Sequence, residues 1–157
     1  ALTGHVVLST LHTNDAAGAF TRLGEMGVEP FLMSSSTIGV VAQRLTRRLC
    51  PHCKEPYTPD EISLKYMGLS GGSRTFFKQK GCDRCSFSGY KGRVGVYEIL
   101  RMNAKIRKLV AAGASAESIT TAGVENGMKT LKDYSVWLLE QGLTTMDEIL
   151  QVVSVRE

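Results

Sequence analysis

Cys50-Pro51-His52-Cys53 and Cys82-Asp83-Arg84-Cys85 are the residues of this sequence with the clearest capacity for chemistry, and they account for all four of its cysteines. A C-x-x-C pair lets two thiolates converge from one tight turn, and two such pairs complete a four-ligand shell around a tetrahedral ion. An all-thiolate set with no evident redox partner suits zinc in a closed, structural site. Disulfides, a rubredoxin-like iron site and independent thiols are the alternatives that the spacing leaves open. His52 lies between two ligands, but four sulfurs already fill a tetrahedron, so it is expected in solvent. Lys54, Lys78, Lys80 and Arg84 are expected to soften the charge of the thiolates. Such a site implies that the segment around it folds on metal because it cannot bury enough apolar surface.

The chain that must position these pairs has 157 residues, 43% hydrophobic and 22% charged, which is ordinary composition for one domain or two small ones. Its longest apolar runs, Val6 to Leu8 and Trp137 to Leu139, fall far short of the roughly 18 residues that span a bilayer. The first residues carry no secretory pattern, so a cytoplasmic location is the default expectation. The chain lacks an initiating Met and enters almost at once into a strand-like run, so it reads as a fragment starting inside a domain. The formal charge of +4 is concentrated at Arg44, Arg47, Arg48 and Lys54, which suits either a solvated edge or an anionic partner. Aromatic residues make up only 7% and do not alternate with basic ones, which argues against single-stranded nucleic-acid binding.

His5 to Leu11 holds a short apolar run, Val6, Val7, Leu8 and Leu11, as expected of a parallel strand buried on both faces. Asn14 or Asp15 can then cap a helix with apolar positions Ala16, Ala19, Phe20, Leu23 and Met26, and Gly27 can end it in a left-handed turn. Strand, turn and helix in that order suggest an α/β fold. Glu29-Pro30 offers a second helix start, and the stretch through Ile38 and Val41 to Leu45 and Leu49 reads as mostly helix running into a strand. Residues 50–90 are loop-rich, with one helix signal, the capping box and N1 proline of Thr58-Pro59-Asp60-Glu61. Val94 to Leu100 reads as a strand rejoining the body. Beyond Asn103 three helical stretches end near Gly113, Gly127 and Gly142, and a capping box at Thr145-Met146-Asp147-Glu148 opens a fourth. Trp137, Tyr134 and the methionines are expected in the core or on the surface of this helical end.

Thr3-Gly4-His5-Val6-Val7-Leu8-Ser9-Thr10-Leu11-His12-Thr13-Asn14-Asp15 resembles the His box of the type II secretion and type IV pilus-assembly ATPases. Gly27-Val28-Glu29-Pro30-Phe31, Ala42-Gln43-Arg44-Leu45, the cysteine pairs, Gly89-Tyr90-Lys91-Gly92-Arg93 and Met128-Lys129-Thr130-Leu131 resemble the same family in the same order. The resemblance implies the C-terminal portion of a RecA-like P-loop ATPase domain over residues 1–49. A tetracysteine zinc insertion would occupy 50–90, and a returning strand with a helical C-terminal subdomain 91–157. It also implies a hexameric motor that hydrolyses ATP with Mg2+ at the cytoplasmic face of the bacterial inner membrane. Such a motor would reach the membrane only through partners, with an inner-membrane platform protein among them and no direct nucleic-acid contact. The cysteine insertion is similar to that of assembly and secretion members, whereas retraction members generally lack it.

A strand from Val6 to Leu11 would be about 20 Å long, placing His5 and His12 at opposite ends. Ligands of open α/β sheets bind beyond the carboxyl ends of strands, which puts His12 beside the nucleotide. The resemblance agrees, implying that His12 senses or contacts the terminal phosphate; His5 is the second catalytic-site candidate, with a subunit contact or a structural role as its place. Arg93 is similar to a family arginine near the nucleotide, with Glu98 as its alternative, structural partner; Arg44 is a comparable nucleotide or interface candidate. The family's phosphate loop, Asp box and Walker B carboxylate are not in this sequence. Gly72-Ser73-Arg74-Thr75 lacks the lysine and glycine spacing of a phosphate loop. The chain alone is therefore expected not to hydrolyse ATP. Two other readings remain, a zinc ribbon binding nucleic acid through Arg44, Arg47, Arg48 and Lys54, and a docking platform.

Overall fold

The computed structural model describes residues 4–69 and 74–154. Thr3 of the His box and Gly72 and Ser73 of the loop resembling a phosphate loop lie outside them. The chain divides into two compact units, one of residues 1–43 and 97–130, the other of residues 44–96 and 131–157. The content is mixed α/β.

In the first unit, α1 (Gly18–Glu25) starts where Asp15 Oδ1 accepts the Gly18 amide at 2.7 Å, and Gly27 follows its end with φ +85°. Helix α2 (Pro30–Ser36) opens on the expected proline. Asn103 Oδ1 accepts the Ile106 amide at 2.8 Å to cap α4 (Ala104–Ala111), and Ser115 Oγ accepts the Ser118 amide to cap α5 (Ala116–Glu125). Phe20, Met33, Leu100, Ile106, Val110, Ile119 and Met128 form the buried core. Arg107 ties α4 to α2 through the Ser34 carbonyl.

In the second unit, the short strands β2 (Glu55–Tyr57) and β3 (Phe76–Lys78) pair antiparallel, Pro56 opposite Phe77, with α3 (Glu61–Tyr66) between them in sequence. The capping box expected at Thr58 gives way to a cap at Asp60. The helix starts at Glu61, and Asp60, an ionised acceptor already in reach, takes the Ser63 amide at 2.9 Å. Helices α6 (Leu131–Glu140) and α7 (Met146–Ser154) close the unit over a core that includes Phe76, Val96, Leu138, Leu139 and Ile149. The helices beyond Asn103 are thus shared between the two units, α4 and α5 in one, α6 and α7 in the other.

The strands β1 (Gly39–Leu49) and β4 (Tyr90–Arg101) pair with each other and run through both units. The Met102 amide bonds to the Ile38 carbonyl at 3.2 Å and the Cys50 amide to the Gly89 carbonyl at 2.9 Å. The start of one strand therefore lies beside the end of the other, an antiparallel pair. The sequence reading of mostly helix across Ile38 to Leu49 is overturned, since the pairing with β4 makes this segment strand. The expected parallel strand at Val6 to Leu11 is also absent. Residues 5–13 have no regular structure, and Val6, Val7 and Leu8 are 77%, 65% and 91% exposed. A strand needs a neighbouring edge to bond to, and no described strand pairs with this run. Met26, the last apolar position of the helix expected after Asp15, is the C-cap of α1 and 61% exposed.

Among the described residues, no helix is long and apolar enough to cross a membrane.

Candidate metal centre and the placement of the other site residues

The four cysteines are brought together in the second unit. The first pair sits in the turn after β1, where the amides of Cys53 and Lys54 both bond back to the Cys50 carbonyl. The second forms a single 3-10 turn, Asp83–Cys85, closed by the Cys85 amide on the Cys82 carbonyl at 3.1 Å. Beyond it Ser86 and Phe87 take left-handed φ of 50° and 59°, and the Phe87 amide returns to the Cys82 carbonyl at 2.9 Å. Gly89, at φ +75°, donates its amide to Cys85 Sγ at 3.3 Å. A Cβ there would stand 2.4 Å from Cβ of Gln79, so only glycine fits.

The four Sγ atoms lie within 4.8 Å of one another and could hold a metal ion. Cys50 to Cys82 measures 3.9 Å, Cys53 to Cys85 3.8 Å and Cys82 to Cys85 3.8 Å. A tetrahedron with metal–sulfur bonds of about 2.3 Å has edges of about 3.8 Å, so the donor set fits a four-coordinate ion. The same distances are far too long for disulfides, and all four cysteines are free.

The expected role of the nearby cations is corrected. Lys78 and Lys80 both pair with Glu55, at 3.6 and 3.3 Å. Lys54 Nζ donates to the Gly142 carbonyl at 2.7 Å and lies over the Phe77 ring. Arg84 faces the exposed ring of His52, 3.0 Å from Nδ1, and His52 stands outside the sulfur cluster, as expected. Backbone amides take the cations' place, because they are fixed by the turns while lysine chains find carboxylates and carbonyls first. Burial pushes the Cys53 thiol up to about 11, opposed by the Gly81 amide. Burial pushes Cys85 up as well, but the amides of Cys82 and Gly89 outweigh it and bring it down to about 6. Negative charge therefore settles on Cys85 more readily than on Cys53.

The other site candidates are not gathered in this way. His5 and His12 are exposed in the first unit, on the segment without regular structure. Arg44, half-buried on β1, and Arg93, exposed on β4, belong to the second unit. Of the basic residues considered for nucleic acid, Lys54 is engaged as above and Arg47 pairs with Glu148. The Arg47 guanidinium stacks 4.1 Å from the Tyr90 ring centre, and Glu148 also accepts from Thr46 and the Arg47 amide. Burial opposes ionisation of Glu148, but Arg47 holds its carboxyl below the ordinary range.

Glu98 was considered only as a partner for Arg93. It is fully buried, and its Oε1 accepts the Ala16 amide at 2.9 Å. Its parity with Val96 and Leu100 on an alternating strand was the available signal that it points inward.

Residues 1–151 match the sequence profile of the type II/IV secretion system protein family. The chain belongs to this family. It is 49% identical over 154 residues to the type IV pilus assembly ATPase PilB of Thermus thermophilus, covering 96% of this chain and 17% of that protein. It is 46% identical over 152 residues to the type II secretion system protein E of Pseudomonas aeruginosa, covering 96% of the chain and 30% of the relative. The type II secretion system ATPase E of Vibrio cholerae is 40% identical over 152 residues, with the same coverages of 96% and 30%. The chain thus spans less than a third of the length of these relatives.

Proposed function

We propose that this chain is the His-box and cysteine-cluster portion of a motor ATPase that powers type IV pilus assembly or type II secretion. The observation that carries the reading is the family match over residues 1–151, joined to relatives whose names are secretion and pilus ATPases. In this reading the whole protein is a RecA-like hexamer on the cytoplasmic face of the inner membrane, docking on a platform protein there. Its phosphate loop and magnesium-binding residues come from sequence outside these 157 residues. His12 contacts the terminal phosphate of ATP, Arg93 and Arg44 lie near the nucleotide or a subunit boundary, and His5 serves the structure or a contact. The exposed apolar run Val6 to Leu8 suits a strand completed by a sheet that the rest of the domain supplies.

The ion held by Cys50, Cys53, Cys82 and Cys85 is zinc in this reading, because a closed shell of four thiolates is the structural zinc arrangement. It supplies folding energy to the insertion and takes no part in hydrolysis.

The test is ATP turnover by the full-length protein and by the 157-residue chain. The full-length protein should hydrolyse ATP, its His12→Ala variant should lose most of that rate, and the chain alone should show none above background. No turnover by the full-length protein, or turnover by the isolated chain near the full-length rate, would sink the reading.

A further inference from the structure

Glu98 stands on the inward face of β4 between Val96 and Leu100, and all three are 0% exposed. A carboxylate in such a place loses its water and persists only where a specific contact offsets that loss. Its Oε1 accepts the backbone amide of Ala16, 82 residues away and just ahead of α1. A helix N-terminus offers unbonded amides and partial positive charge, so a carboxylate is the favoured acceptor there.

Local bonds also hold the turn that receives this bond. Thr13 Oγ1 donates to the Asp15 carbonyl at 3.1 Å, and Asp15 Oδ1 accepts the Gly18 amide. Ala16 and Ala17 are fully buried, and a Cβ at Gly18 would stand 3.0 Å from Asp15 Oδ1. These local bonds shape the turn, whereas the bond to Glu98 ties it to β4. His12 directly precedes this turn.

We propose that Glu98 is a positioning residue for His12, holding the turn from Thr13 to Gly18 so that the imidazole is presented at a fixed place. The inference rests on the reading of His12 as a phosphate contact. A catalytic group displaced by about 1 Å can lose about 100-fold in rate, so an anchor of this kind matters to turnover more than to affinity.

The experiment compares steady-state ATP hydrolysis by the full-length protein carrying Glu98→Ala, Glu98→Gln, His12→Ala and the Glu98→Ala/His12→Ala pair. Ile106→Val, a core change that removes one methyl group and no polar contact, serves as a stability control. Glu98→Ala should lower kcat about 10- to 100-fold with KM for ATP changed less than about twofold. Glu98→Gln keeps an acceptor for the Ala16 amide and should recover most of the rate. In the His12→Ala background, Glu98→Ala should cost nothing further. If Glu98→Ala fails to assemble, Glu98→Asp, which keeps the charge but shortens the reach, should give the same two results. Additive losses in the double variant, an unchanged kcat in the Glu98 variants, or an Ile106→Val control of equal melting loss that loses as much kcat would each overturn the inference while leaving the proposed function standing. A His12→Ala variant with full kcat would remove the reading of His12 and this inference with it, and an inactive parent would remove the proposed function as well.

Discussion

The core around Ile106 and the cysteine cluster both draw distant stretches of one chain together, by opposite means. In the first unit α1, α2, α4 and α5 bury side chains of ordinary hydrophobic type, and Asn103 and Ser115 cap α4 and α5 locally. Around the cysteines the buried set is the sulfurs themselves, held by two turns, a left-handed pair and an obligate glycine. The first arrangement spreads its stability over many methyl groups; the second would concentrate it in one coordination shell once an ion is bound. Wherever a segment is loop-rich and its strands are three residues long, as β2 and β3 are, a metal can supply what area cannot.

That contrast is broken or sharpened most forcefully by removing the ion. Chelation, or Cys82→Ser, should withdraw on the order of 10 kcal/mol of metal-linked folding energy. Hydrogen exchange should then accelerate at the amides of residues 50–53 and 82–90 and stay slow in α4 and α5. Equal protection with and without chelator, together with no zinc by elemental analysis, would erase the contrast.

The reciprocal change, Ile106→Ala, should cost about 2–5 kcal/mol in denaturant melts while bound metal stays at one ion per chain. Glu148→Ala should cost about 2–3 kcal/mol, because it strips Arg47 and Thr46 of a shared, nearly buried acceptor. Arg47 depresses the folded-state value of this carboxyl below its ordinary 4.5, so its stabilisation is complete above that value and fades as pH falls through the lowered one. A wild-type minus Glu148→Ala difference that does not shrink as pH falls below the ordinary carboxyl value would contradict the assignment. Smallest of all, Asn103→Ala should cost about 1 kcal/mol through the lost cap of α4, visible as faster exchange in its first turn.

What could be read from sequence was the local chemistry. The cap at Asp15, the proline opening α2, the left-handed Gly27 and the paired cysteines each act over three or four residues, so their spacing carries their meaning. The segment Gly39–Leu49 defeated that reading for a physical reason. Its buried residues Ala42, Thr46 and Leu49 recur at intervals of four and three, as in a helix, although the segment is a strand. The inward side changes parity after Thr46, and only the pairing with β4 decides the conformation. The apolar run at Val6 to Leu8 has strand composition but no described partner, so composition alone could not make it a strand. Glu98, Arg47 and Glu148 were out of reach because their partners lie 82 and 101 residues away.

Those separations bear on the order in which the chain can fold as it leaves the ribosome. The cysteine pairs are 32 residues apart and can meet once the second knuckle has emerged. Arg47 must wait for Glu148, 101 residues later, on the last described helix. During synthesis the four sulfurs can thus be together while the apolar core of the same unit still lacks α6 and α7, so an ion held there would be an early clasp on a unit that closes late.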